Sequence, residues 1–78
     1  MKSTEELKEY ILFLLEEAGF SPELYILKIG VSSVEVHFDH PGAVDYFKGE
    51  VETCDRAEEL IFDKRQSGKR YVAYIQMW

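Results

Sequence analysis

Asparagine is absent from the 78-residue sequence, cysteine occurs once and proline twice. The single Cys54 has no internal partner for a disulfide, so no covalent framework holds the chain, and a reducing, cytoplasmic setting is the simplest expectation. Charges run through Met1 to Glu9, which excludes the apolar stretch of a secretion signal there. Long hydrophobic runs are missing too. The longest, Tyr10 to Leu15, has six residues, against the ~20 that span a bilayer. Positive charge is scarce: nine Lys and Arg stand against fifteen Asp and Glu, a net charge of -6. Such a balance opposes diffuse attraction to phosphate backbones and anionic lipid surfaces, so neither nucleic acid nor a membrane is the expected partner. There are no repeats and no calcium-loop or phosphate-loop glycine pattern. The missing asparagine, with abundant Glu and Lys, is a composition met in thermophiles.

Apolar and aromatic residues are plentiful. The hydrophobic fraction is 46%, with five Tyr, five Phe and one Trp, enough for one globular domain over residues 1–78. A chain this short buries only about 60–65% of its unfolded surface. Ser3 and Glu6 have capping-box spacing, and Leu7, Ile11, Leu14, Leu15 and Ala18 follow on one helical stripe that Gly19 ends. Leu12 and Phe13 lie off that stripe, so this helix needs a second surface, on the other helix or on another subunit.

The segment Glu23 to Phe38 reads as two strands joined at Gly30 to Ser33. In the first run Tyr25, Leu27, Ile29 and Val31 oppose Leu24 and Ile26, so both faces are apolar and a central position is expected. The second run alternates, with Val34, Val36 and Phe38 against Glu35, His37 and Asp39. Pro41 then opens a helix whose apolar residues Val44, Phe47, Val51, Cys54, Ala57 and Ile61 carry it to about Arg65, with Ser67-Gly68 as the stop. That length, roughly 37 Å, exceeds the roughly 26 Å of an eight-residue strand, so a kink at Gly49 or an overhang is expected. Arg70 to Met77 reads as the last strand. The expected class is α+β, with two helices on one face of a three-stranded antiparallel sheet in strand order 2-1-3, built α-β-β-α-β. This split βαβ arrangement is close in plan to a ferredoxin-like fold lacking its first strand, a likeness that carries no function.

Three sets of residues are candidates for function. On the sheet face away from the helices, Ile26, Val72, Tyr74 and Trp78 join Lys28, Glu35, His37 and Gln76 in a surface more apolar than a solvated face, which points to a homodimer or a protein partner. Lys64, Arg65, Lys69 and Arg70 gather near Ser67-Gly68. Lys64 and Arg65 offset a helix dipole, or as an alternative function all four contact a nucleotide or nucleic acid, with Tyr71 and Tyr74 near enough to stack a base. His37, Asp39 and His40 could serve a small hydrolase or metal-binding protein, but they lack zinc-site spacing. No catalytic residue, metal or cofactor is expected. Cys54 reads as a structural thiol on a helix stripe, and Glu52, Asp55, Glu58, Glu59 and Asp63 as that helix's solvated face. The leading expectation is a small non-catalytic interaction or regulatory module that self-associates through the outer sheet face.

Overall fold

The computed structural model describes residues 1–78 as two helices packed on one face of a four-stranded antiparallel sheet. Helix α1 spans Thr4–Glu17 and α2 spans Pro41–Glu52; the strands are β1 (Tyr25–Ile29), β2 (Ser33–Phe38), β3 (Leu60–Ser67) and β4 (Arg70–Met77). The strand order is β1-β2-β4-β3. No helix is long and apolar enough to cross a membrane.

Helix α1 begins and ends where its side chains dictate. Ser3 Oγ accepts from the Glu6 amide at 3.1 Å, and the Glu6 carboxylate accepts from the Lys2 amide at 3.3 Å. At the other end Gly19 takes φ 89°, while the Phe20 amide donates to Leu15 and the Gly19 amide to Glu16, which satisfies the last carbonyls in a Schellman arrangement. Phe20 then enters an aromatic group, 5.1 Å from the Phe38 ring and 6.3 Å from that of Phe47.

The long second helix does not form. Helix α2 stops at Glu52, where the Thr53 amide and hydroxyl both donate to the Gly49 carbonyl, and a loop with one 3-10 turn at Ala57–Glu59 leads into β3. Leu60, Ile61 and Phe62 suit a strand better than a helix, because their branched and aromatic side chains pack on a pleated surface. Their strand uses period 2, with Leu60 and Phe62 to the core and Ile61, Asp63 and Arg65 outward. The conflict between helix length and sheet length is thus resolved by a break, with Gly49 inside the shorter helix.

The strand order corrects the expected 2-1-3. Strand β2, with five of its six residues buried, lies inside the sheet, paired with β1 on one side and β4 on the other, while the doubly apolar β1 is an edge. Strand β4 is antiparallel to both β2 and β3, so those two run parallel with β4 inserted between them. A split βαβ relation survives as β2-α2-β3. The core is a single cluster in which Leu7, Ile11, Leu14 and Leu15 of α1 and Val44, Phe47 and Val51 of α2 cover Val34, Val36, Phe38, Leu60, Ala73 and Ile75.

Candidate functional site

Cross-strand pairing defines the sheet face turned away from the helices. One row carries Ile26, His37, Val72 and Arg65, and the next carries Lys28, Glu35, Tyr74 and Asp63. Of the residues expected at an interface, Ile26 is exposed, Tyr74 half-buried and Val72 only 2% exposed, already covered within its own chain. Trp78 lies beyond β4; its amide donates to the Glu59 carbonyl at 3.0 Å and it stands 83% exposed. The four therefore do not form one continuous apolar patch. Arg65 lies 3.7 Å from the centroid of the Tyr74 ring and donates to Asp63 at 2.9 Å, so charge and cation–π contacts occupy the middle of this face. His37 is buried beside them, with Nε2 3.0 Å from Glu35 Oε1 and Nδ1 without a partner.

The break in the second helix also redistributes the basic residues. Lys64 turns to the helix side and pairs with Asp45 of α2 at 2.7 Å, while Arg65 is on the opposite face. Arg70 stands 3.8 Å from Asp39, and Lys69 occupies the tight β3–β4 turn, in which Gly68 takes φ 61°. They are cations of a strand and a hairpin, not of a helix's last turn, and three of the four face a carboxylate. His37, Asp39 and His40 do not converge. His37 lies in the sheet, Asp39 is exposed and His40 precedes α2, its ring 3.5 Å from where a Gly42 Cβ would sit. No three potential metal ligands cluster anywhere in the chain.

Cys54 sits in the loop after α2 and not on a helix stripe. It is half-buried, and its Sγ donates to the Val51 carbonyl at 3.1 Å. The carboxylates expected to share a helix face are dispersed likewise. Glu59 belongs to an ion-pair group that sequence reasoning missed: Arg56 grips it with Nε at 2.7 Å and Nη2 at 2.8 Å, and reaches Glu6 of α1 with Nη1 at 3.0 Å. The Arg56 guanidinium and then the chain's amino group hold the Glu59 carboxyl down to about 2. Burial, followed by the nearby Cys54, pushes the Tyr10 hydroxyl up to about 12.

Exposed apolar area concentrates at β1. Of the seven large hydrophobic residues left exposed, Leu24, Ile26, Ile29 and Val31 lie on this strand or at its ends. The Gly30 amide donates to the Ser33 carbonyl at 2.8 Å. Alternation of an antiparallel ladder from that bond turns the backbone groups of Ile26 and Lys28 toward β2 and those of Tyr25, Leu27 and Ile29 outward. Lys28 is the only charge along this edge, whereas β3, the opposite edge, presents Asp63, Lys64 and Arg65. Set against protein-family models, curated proteins and solved structures, the chain matches none.

Proposed function

We propose that this chain is a non-catalytic protein-interaction module that takes an extended partner segment along β1 by strand addition. The observation that carries this reading is an edge strand that is apolar on both faces and has its outward amides and carbonyls open, the arrangement that recruits another strand. The β3 edge, interrupted by charges of both signs, has the usual protection against such pairing. Main-chain bonds to Tyr25, Leu27 and Ile29 supply affinity, and contacts to Leu24, Ile26 and Val31 supply selectivity. Relative to the interface expected from sequence, this reading retains Ile26 and replaces Val72, Tyr74 and Trp78 with the residues of the sheet edge.

A photoreactive side chain at Ile26 tests this in cells. It should give discrete crosslinked products that disappear when Ile29→Pro is added, since proline there removes an outward amide and no bond to β2. The same group at Gln66 on β3 is the control. Equal crosslinking from Ile26 and Gln66 would end the strand-addition reading.

A further inference from the structure

We infer that the strand added to β1 is β1 of a second copy of this chain, paired antiparallel about a two-fold axis at Leu27; this rests on the strand-addition reading above. Register is the first argument. The open backbone groups belong to Tyr25, Leu27 and Ile29, and only with Leu27 facing Leu27 does every one of them find a partner, since Tyr25 then meets Ile29 of the second copy. On the helix side that register sets Leu27 against Leu27 and Tyr25 against Ile29. On the outer side it sets Ile26 beside Lys28, whose methylene stem can lie over it while the ammonium stays in water.

Helix α1 supplies an independent complementarity. Thr4 Oγ1 donates to the Val31 carbonyl, whereas Leu12, Glu16 and Phe20 line a cleft with Tyr25, so α1 runs antiparallel to β1, with Leu12 and Glu16 on its β1 side. From Thr4 to Leu12 the helix advances about 12 Å, close to the roughly 13 Å from Val31 back to Leu27. An axis through Leu27 is therefore level with Leu12, the half-buried residue that the α1 stripe left over. Residues one turn either side of Leu12 exchange across that axis, which sets Lys8 opposite Glu16 of the second copy. Within its own chain Lys8 has only the exposed Glu5 at 3.6 Å, and Glu16 has no cation. Unlike charges thus meet in a pair of molecules that each carry -6. Such an interface is isologous and closes on itself, whereas β1 against β3 would be head-to-tail and continue into filaments, against the charges of β3.

Light scattering and sedimentation of the purified chain, from roughly 1 μM to 1 mM, should show a monomer–dimer equilibrium. Amide exchange at Tyr25, Leu27 and Ile29 should slow as the dimer fills, and Ile29→Pro should raise the dissociation constant about tenfold or more. Lys8→Glu should weaken the dimer, and the double variant Lys8→Glu/Glu16→Lys should restore it, because each copy then presents the reversed pair. A monomer at 1 mM overturns the inference, as does a dimer that keeps those amides in fast exchange or that Tyr74→Glu splits while Ile29→Pro does not. If the chain is monomeric yet Ile26 crosslinks in cells to a different protein, strand addition stands and the second copy alone is rejected. If Ile26 crosslinks to nothing, both fall.

Discussion

Arg56 ties three separate parts of the chain at one guanidinium: the loop after α2, the 3-10 turn before β3 and the first turn of α1. Removing it releases Glu6 and Glu59 together, which should appear in the pH dependence of stability. Folded Glu59 sits near 2 instead of the ordinary 4.5, and the Glu6 carboxyl is lowered as well, first by the Lys2 amide and then by Arg56. Their contribution is complete above about pH 4.5 and is lost as pH falls toward 2. Urea midpoints across that window should drop with acid in the wild type and drop less in Arg56→Gln; equal slopes would show that the group does not stabilise the fold. Tyr10 acts at the other end of the scale. Its hydroxyl is raised from 10 to about 12, so the stability it contributes is present below pH 10 and disappears as pH rises through 12. Tyr10→Phe should flatten that alkaline loss. None of this was legible in sequence, because a helix running to Arg65 would set Arg56 among solvated carboxylates, and only the chain reversal after Glu52 brings it to Glu6.

The elements differ in how much of their character is local. Helix α1 could be placed from residues alone, since its cap, stripe and glycine stop all act within a few positions of one another. The β1–β2 hairpin was equally legible, and Gly30 explains part of its tightness: a Cβ there would lie 2.5 Å from Ser33 Oγ. Helix α2 is shorter than its sequence suggests because Val51, Cys54, Ala57 and Ile61 continue helical spacing by coincidence, while the run Leu60 to Phe62 takes its strand form from cross-strand neighbours about 15 residues away. Gly49 offers a test at this scale. It is exposed within α2 and an added Cβ would meet nothing within 4 Å, so Gly49→Ala should stabilise by about 0.5–1 kcal/mol in chemical denaturation. A loss of stability would show that the helix needs glycine for its turn at Thr53. Strand β1 reads as central from sequence for a different reason. Apolar residues on both faces mark a strand that will be covered, and covering from within the sheet cannot be told from covering by another molecule until the register is known.

At the scale of the molecule, stability rests on one core between two layers. Phe47 is fully buried there, 6.1 Å from Phe38, and Phe47→Ala should cost about 3–5 kcal/mol by cavity formation, read from the shift of the urea transition. By the per-residue rule the whole domain has roughly 4–12 kcal/mol, so this variant should lose from about a quarter of that stability to all of it. The outer face contributes less, as its ion pairs at Asp63 and Arg65 are half-exposed. It holds the buried His37 beside Glu35, while four of the seven exposed large hydrophobic residues lie on or next to β1.

The insertion of β4 between the parallel strands β2 and β3 sets an order on assembly. A ribosome delivers the chain at about 5–20 residues per second from its amino end, so β2 and β3 both exist before the strand that joins them. Until Arg70 to Met77 has emerged, the nascent protein has α1, the first hairpin and α2, with the inner edge of β2 bare and nothing for β3 to bond. Its sheet is completed from the inside by its last strand. A chain ending at Gly68 should accordingly show no cooperative thermal transition, although the sequences of both helices are present. In the cell, then, the interval between the synthesis of β2 and that of β4 is when this protein most needs protection from mispairing, and chaperone capture should peak there.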